Sequence, residues 1–334
     1  MEMSPWKDVP VLVTGGAGFI GSNLAHRLLK EGAKVSVLDI KPWYPDVGSY
    51  YDDLRKQTNY IEGSVTNSDL LEKTLRKGNI QCVFHLAAVT IVGDAITRPA
   101  ETLDVNIRGT WNLLELLRTS FPGVRMVVAS SDKAYGSQPI LPYTEATPTN
   151  DAEHPYSCSK SCVDLISRTY AHAYGLPVSV TRCGNAYGPG DLNFSRLIPD
   201  TIRTLHRGEA PLIRSDGTFL RDYVYVDDLV EAYLCSARAL ETTDIAGEAF
   251  NFGQNDPKRV LEVVKEIMRL MNTGIAEPVI QNTVKNEIKD QYLDSSYAMS
   301  RLGWKSSVTF SEGLEKSIEW YSAFLDRRPQ YVRG

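Results

Sequence analysis

The chain is short of cysteine, of histidine, of long apolar runs and of excess positive charge, and each shortage removes a class of function. Its five cysteines (Cys82, Cys158, Cys162, Cys183, Cys235) form an odd, scattered set. Cys158 and Cys162 are four apart on an expected helix, but no second Cys or His pair stands at zinc-like spacing to complete a site. The five read as buried reduced thiols, and no metal is expected. No apolar stretch approaches the ~20 residues of a membrane span. The start, Met1-Glu2-Met3-Ser4-Pro5-Trp6, lacks the charged and apolar regions of a signal peptide. A cytoplasmic protein without a membrane partner is the expectation. The 36 Lys and Arg against 41 Asp and Glu give a net charge of −5. No basic tail or stripe is present to neutralise phosphates, which argues against a nucleic-acid partner. A local basic pocket for a phosphorylated small molecule stays open. There is no internal repeat and no low-complexity tract.

What is present is ordinary soluble-protein texture, with 43% hydrophobic and 23% charged residues over 334 positions. That length allows a large core and suggests roughly two domains. The first half alternates β-rich apolar runs with amphipathic helices. Val11-Leu12-Val13 leads into a glycine loop and then Ile20, Leu24 and Leu28, one helical face ended by Gly32. Val35 to Leu38 is the next strand. Asn67 or Ser68 caps a helix carrying Leu70, Leu71 and Leu75, which Gly78 stops. Val83 to Leu86 reads as a third buried strand, Leu103 to Leu117 as a long helix, and Met126 to Ala129 and Val178 to Val180 as further strands. Strands buried on both faces and separated by helices predict an α/β fold with a Rossmann-like, doubly wound parallel sheet. From about Gly184 the texture changes. Gly184 to Asp191 is turn-rich, with no strand expected. Phe250-Asn251-Phe252 is another short strand, and Val260 to Met271 a helix. The expected division is a main, Rossmann-like domain over 1–183, with a return segment at about 222–253, and a smaller mixed α/β domain interleaved over 184–334.

Thr14-Gly15-Gly16-Ala17-Gly18-Phe19-Ile20-Gly21 lies between a strand and a helix, the context a phosphate loop requires. Gly15 suits the tight turn, Gly18 lets backbone approach a pyrophosphate, and Gly21 permits close helix–strand packing. The helix N-terminus offers free N–H groups to the anion. Asp39 ends the second strand about 20 residues on, where a carboxylate accepts hydrogen bonds from ribose hydroxyls and repels a 2′-phosphate. NAD is therefore favoured over NADP, although Lys41 lies close by. Tyr156 and Lys160 are four apart and share a helix face. A neighbouring ammonium favours the tyrosinate, and a tyrosine so tuned can take a proton from a sugar hydroxyl. Ser131-Asp132-Lys133 adds a carboxylate and an amine side by side, acid–base equipment beyond what hydride transfer needs. The bland alternative is a partly exposed ion pair at a turn.

Together these features resemble the extended short-chain dehydrogenase/reductase family, whose members act mainly on nucleotide-diphosphate sugars with a tightly held nicotinamide cofactor. The resemblance covers nearly the whole chain. It includes His85-Leu86-Ala87-Ala88, Val105 to Thr110, Arg221 to Asp228 and Leu302-Gly303-Trp304. It assigns cofactor contacts to Gly15, Gly18, Phe19, Ile20, Gly21, Asp39, Ser64, Val65, Leu86, Ala87, Ala88, Tyr156 and Lys160. Many relatives have Gly-Asp-Val where this chain has Gly63-Ser64-Val65; that aspartate usually meets the adenine amine, and Ser64 is a weaker acceptor. Epimerases similar to UDP-galactose 4-epimerase carry small or hydroxyl residues at Asp132 and Lys133, and dTDP-glucose 4,6-dehydratases carry Asp-Glu. Ser-Asp-Lys here is most similar to the CDP-glucose and UDP-N-acetylglucosamine 4,6-dehydratases.

The resemblance thus implies an NAD-dependent nucleotide-sugar 4,6-dehydratase, with a 4-epimerase or another 4-keto enzyme as the alternative and a silent NAD-binding scaffold as the third reading. In the first reading Tyr156 takes the C4 hydroxyl proton as C4 is oxidised, and Lys160 lowers the tyrosine pKa. Ser131 holds the C4 oxygen, Lys133 takes the C5 proton, and Asp132 protonates the departing C6 hydroxyl. Lys133 can act as a base only if burial or a nearby cation, for which Lys160 is a candidate, lowers its pKa from ~10.4. Asn185 and Arg221 are the main substrate candidates, with Arg196 and Asp290 as weaker ones that are more often solvated charges. Asn106 reads as an amide fixing backbone near the strand ends, and His85 as a strand-end packing residue. The family also implies a homodimer through paired helices, here Leu103 to Leu117 and Tyr156 to Tyr174.

Overall fold

Short strands that are apolar on both faces need helices on both sides, and the chain supplies them alternately. The computed structural model describes residues 4–41, 54–150, 153–242, 244–283 and 287–332. The main strands are β1 (Pro10–Thr14), β2 (Lys34–Asp39), β3 (Asn59–Glu62), β4 (Cys82–His85), β5 (Arg125–Ala129), β6 (Val178–Cys183) and β7 (Ala249–Phe252). They form one parallel sheet in the order β7-β6-β5-β4-β1-β2-β3. The chain reverses direction of travel between β1 and β4, which opens a crevice at the C-terminal strand ends. Thr14, Asp39, His85, Ala129 and Cys183 all stand at those ends.

The longer helices are α1 (Phe19–Lys30), α2 (Ser68–Gly78), α3 (Gly109–Ser120), α4 (Pro155–Tyr174), α5 (Leu197–His206), α6 (Val226–Thr242), α7 (Val260–Met271) and α8 (Phe310–Arg327). Asn67 caps α2, its side chain accepting from the Leu70 N–H at 3.0 Å. Gly78 is the last helical residue, and Asn79 makes the left-handed turn at φ 46°. The helix expected over Leu103 to Leu117 is one helical run from Pro99 to Ser120, widened to π geometry over Asp104–Arg108.

Two segments depart from the sequence expectations. β3 is half-buried with polar ends and forms the sheet edge, so it carries no continuous apolar run; Val83 to His85 is therefore the fourth strand along the chain, not the third. The second departure is a correction. No strand was expected in Gly184 to Asp191, yet Asn185–Tyr187 pairs in parallel with Tyr223–Tyr225. Packing overrides the turn-rich composition there. The buried Tyr187 ring meets Tyr223, Tyr225 and Phe310 at centroid distances of 6.3, 5.6 and 5.6 Å. Around it Ile198, Ile202, Val263, Ile267, Leu314 and Tyr321 form a second core beneath α5, α7 and α8. A short strand, Asp290–Gln291, runs parallel to Leu220–Arg221 and brings the C-terminal segment back to the crevice.

One buried ion pair joins these parts. Arg182 on β6 donates to both oxygens of Asp164 on α4, at 2.7 and 2.8 Å, with side-chain exposures of 1% and 0%. It also donates to the Tyr135 hydroxyl at 2.9 Å, which donates in turn to Asn251 Oδ1 on β7 at 2.6 Å. Replacing Arg182 with Leu leaves the buried Asp164 carboxylate with only the half-exposed Arg168, 3.7 Å away, and should cost about 3–5 kcal/mol of unfolding free energy in urea titrations. A loss below about 1 kcal/mol would mean that the pair does not hold the elements together.

Candidate active site

The crevice begins at the glycine loop. Gly15 has φ +70°, and a Cβ there would lie 2.7 Å from the Ala87 backbone nitrogen. At Gly21 a Cβ would stand 2.3 Å from the Gly15 carbonyl oxygen, so the loop and α1 close only without side chains at both positions. Gly18 is the N-cap of α1 and offers no side-chain cap, which leaves first-turn amides such as Phe19 and Ile20 for a ligand. Asp39 bends over this loop, accepting from the Ala17 N–H at 3.0 Å and the Lys41 N–H at 3.2 Å. Burial raises its carboxyl pKa, while amides of Lys41, Ala17 and Ile40 act against the rise. An uncapped helix start, a glycine cradle and an acid over the ribose position fit a dinucleotide such as NAD. Leu86 and Ala87 line the same loop: Leu86 donates its N–H to the Thr14 carbonyl at 3.0 Å. Ser64 spends its hydroxyl locally on Thr66 at 2.8 Å, and Val65 is buried against Gly109.

Beneath the crevice lies a polar layer. His85 is buried between Thr14 Oγ1 at 2.7 Å and Thr110 Oγ1 at 3.0 Å, and burial lowers its pKa to about 3. It stays neutral and structural. Asn106, inside the π-turn, accepts from the Val89 N–H at 2.8 Å and donates to the Val89 carbonyl at 3.2 Å and to Ser159 Oγ at 2.8 Å. It fixes the loop after β4 against α4, as its backbone-fixing reading requires.

Tyr156 and Lys160 stand in the first turns of α4, with the Lys160 ammonium 5.9 Å from the Tyr156 ring centroid. Lys160 donates to the Ala129 carbonyl at 2.7 Å, and burial pulls its pKa down to about 8. The expectation that this ammonium depresses the tyrosine does not hold in the protein alone. Burial dominates and pushes Tyr156 up to about 12, with a Ser131 hydrogen bond and the Arg196 cation acting in the lowering direction.

The Ser131-Asp132-Lys133 turn sits opposite. Ser131 caps it, accepting from the Lys133 N–H at 3.2 Å and donating to Asp132 Oδ1 at 2.9 Å. Asp132 Oδ2 is buried with no hydrogen-bond partner. Lys133 lies 3.6 Å from Asp132 Oδ1, with side-chain exposures of 25% and 3%. Burial lowers the Lys133 pKa; Asp132 opposes this and Arg221 adds to it. The cation acting on Lys133 is therefore Arg221 rather than Lys160.

The substrate candidates are spread along the C-terminal wall. Asn185 donates to the Asp222 carbonyl at 3.4 Å. Arg196, 39% exposed, pairs with the buried Asp191 at 2.9 Å. The Arg221 guanidinium is nearly enclosed and donates to the carbonyls of Leu220, Lys289 and Ile288 at 2.8, 2.7 and 2.7 Å and to Glu287 at 2.7 Å. Asp290 accepts from the Leu220 N–H at 3.2 Å and so belongs to that strand pairing. Sequence reading missed its neighbour Gln291, which is fully buried and donates to the Asp132 carbonyl at 2.9 Å while accepting from Lys133. A lone glutamine in a two-residue strand carries no pattern that could have marked it. Among the described residues, no cluster of three or more His, Cys, Asp or Glu could hold a metal.

With this geometry in view, comparison with known proteins places the chain. The sequence profile of the NAD dependent epimerase/dehydratase family matches residues 11–253. A trifunctional UDP-glucose 4,6-dehydratase/UDP-4-keto-6-deoxy-D-glucose 3,5-epimerase/UDP-4-keto-L-rhamnose-reductase of Arabidopsis thaliana is 31% identical over 96% of the chain. The chain spans about half of that relative's length, 48%. The UDP-glucose 4-epimerase of Thermotoga maritima, solved with UDP-glucose, superposes with a TM-score of 0.86 at 30% identity, covering 94% of this chain and 99% of that one. The dTDP-glucose 4,6-dehydratase of Bacillus anthracis, solved with NAD, gives 0.85 at 29% identity, covering 97% and 99%.

The depressed Lys160 pKa makes a pH-dependent prediction. The folded chain prefers neutral Lys160, so stability is lowest below about pH 8 and rises from about 8 toward the unfolded value of 10.5. Lys160→Met removes that penalty. Its melting temperature at pH 7, without cofactor, should not fall, whereas retention of NAD through gel filtration should drop at least about tenfold. A large fall in melting temperature would contradict the burial account.

Proposed function

Because the chain belongs to the NAD dependent epimerase/dehydratase family, we propose that it is a nucleotide-diphosphate-sugar 4,6-dehydratase whose product is a 4-keto-6-deoxy sugar nucleotide. The observation that carries this reading is the buried, unpartnered Asp132 Oδ2 beside an amine whose pKa burial lowers. An idle surface ion pair would leave neither feature.

NAD, held by Gly15, Gly18, Phe19, Ile20, Gly21 and Asp39, supplies a reversible two-electron oxidation at the sugar C4. Tyr156, whose burial-raised pKa the positive charge of bound NAD would lower, takes the proton of the C4 hydroxyl, and Ser131 donates a hydrogen bond to the C4 oxygen as it becomes a carbonyl. That carbonyl acidifies the C5 proton, which the neutral amine of Lys133 accepts. Asp132 gives a proton to the C6 hydroxyl, which leaves as water. The hydride taken at C4 would return to C6, the Lys133 ammonium would give a proton back at C5, and the proton held by Tyr156 would make good the one Asp132 gave, so the net change is loss of one water. Lys160 would hold the nicotinamide ribose with its ammonium, which already has the Ala129 carbonyl as a partner.

The substrate's diphosphate lies toward Arg221, with Asn185 and Arg196 along the same wall. Glu287 is half exposed, and its contact with Arg221 is the one that a diphosphate would replace. A 4-epimerase is the second reading, favoured by the equal likeness to an epimerase and a dehydratase. It uses Tyr156, Lys160 and Ser131 in the same way and leaves Asp132 and Lys133 as an ion pair.

The protein acts in the cytoplasm as a homodimer through α3 and α4, which pack side by side. Trp111 on α3 and Leu165 on α4 are 44% and 52% exposed, apolar surface that a second copy would cover. Among the described residues no helix is long and apolar enough to cross a membrane.

Two tests follow from these readings. Asp132→Asn should abolish release of 4-keto-6-deoxy product while reduced nicotinamide still accumulates on mixing with substrate; an unchanged dehydration rate would sink the assignment of Asp132. Trp111→Glu combined with Leu165→Glu should halve the mass measured by light scattering, and a variant that keeps the wild-type mass would rule out this face as the interface.

A further inference from the structure

Lys133 has two partners to choose between, and the choice decides whether it can act as a base. One is the Asp132 carboxylate, whose Oδ1 stands 3.6 Å from the ammonium, beyond a tight ion pair. The other is the carbonyl oxygen of the Gln291 carboxamide, with which Lys133 makes its hydrogen bond. An amine closed onto a carboxylate is stabilised as ammonium, and the carboxylate is occupied in turn, so each would lose its chemical role. An uncharged acceptor holds the amine without that charge pairing.

We propose that Gln291 is a positioning residue that holds the Lys133 amine off Asp132 and so keeps the two groups apart as base and acid. The inference rests on the dehydratase reading for its consequence, though the contact itself does not. Gln291 has no solvent-exposed surface and uses both ends of its amide, Nε2 donating to the Asp132 carbonyl at 2.9 Å. One side chain therefore sets the backbone of the acid and the head of the base together.

The backbone of Gln291 is fixed as firmly. Its strand pairs with Leu220–Arg221 in the register Gln291↔Arg221. The Arg221 guanidinium binds the carbonyls of Ile288 and Lys289, each at 2.7 Å, just before it. After it, Tyr143 donates its N–H to the Tyr292 carbonyl at 2.9 Å, and Leu293 donates to Asp222 Oδ2 at 3.3 Å. Besides any contact with substrate, Arg221 thus helps deliver Gln291 to the dyad, and the C-terminal wall is coupled to proton transfer.

The test uses the full chain with NAD, CDP-, UDP-, GDP- and dTDP-glucose as probes, and lysine labelled with 13C at Cε. In Gln291→Met, which keeps the side-chain volume, and in Gln291→Glu, which puts a carboxylate at the contact, the Lys133 resonance should titrate at higher pH than in wild type. The rising limb of the dehydration kcat–pH profile should move alkaline in step. Near neutral pH, kcat should fall about tenfold to a hundredfold, with KM within about threefold and C4 oxidation retained. Both midpoints unmoved in a folded variant would overturn the inference, even if wild type dehydrates. A wild type that dehydrates none of the probes would defeat the dehydratase reading alone, because the Lys133 titration still decides the contact. Should both Gln291 variants fail to fold, Lys133→Met reads the contact from the other side. The Gln291 side-chain amide resonances must then shift, and their constancy would count against the proposal.

Discussion

The structure turns on a guanidinium with no access to water. Arg182 sits on β6, beside the edge strand β7, and reaches three things at once: Asp164 on the helix of Tyr156 and Lys160, Tyr135 on the turn of Asp132 and Lys133, and the Glu145 carbonyl at 3.2 Å. Through Tyr135 it reaches Asn251, which itself donates to the carbonyls of Tyr143 and Asp294 at 3.0 and 3.3 Å. Burying a charged pair is not in itself stabilising, since desolvation offsets much of the attraction. What it provides here is registration. The two half-sites sit on separate elements, and the fork of Arg182 allows one relative placement of both.

Burial also sets the character of the site. It pulls Lys160 to about 8, pushes Tyr156 to about 12 and lowers Lys133, so each proton-handling group titrates away from its ordinary pKa. Asp222, behind the dyad, shows the same effect: burial raises its carboxyl to about 7, against amide bonds from Gln254 and Leu293, and Asp132 adds to the rise. Its folded pKa lies above the ordinary 3.8, so the penalty grows as pH rises from about 4 to about 7 and is then complete. The chain gives up a side chain to keep it, since a Cβ on Gly253 would lie 2.1 Å from Asp222 Oδ2. Such strain is what a preorganised, water-poor reaction centre costs in stability.

The parts legible in the sequence were those with a local signature. The glycine loop, Asp39 and the four-residue spacing of Tyr156 and Lys160 follow from period and turn chemistry, and the sheet follows from apolar runs between helices. His85 is read as a strand-end residue because nothing near it in sequence makes it a metal ligand, and Asn106 as an amide fixing backbone; their hydrogen bonds to Thr14, Thr110 and Val89 agree with those readings. What escaped was set by packing between distant segments. Strand Asn185–Tyr187 forms because Tyr187 finds Tyr223 and Tyr225, which turn propensity cannot foresee. The expectation for Tyr156 counted one neighbouring charge and not the desolvation that outweighs it. Gln291 was invisible because it lies 158 residues from Lys133 along the chain and belongs to no motif.

The central claim is that this crevice removes water from its sugar as well as oxidising it. The most direct measurement is incubation of the wild-type protein with nucleotide-linked glucoses in deuterated water, followed by NMR and mass analysis of the sugar. The expected product has lost the C6 hydroxyl, carries a keto group at C4 and holds solvent deuterium at C5. A product altered only in configuration at C4, with no deuterium at C5, would contradict it.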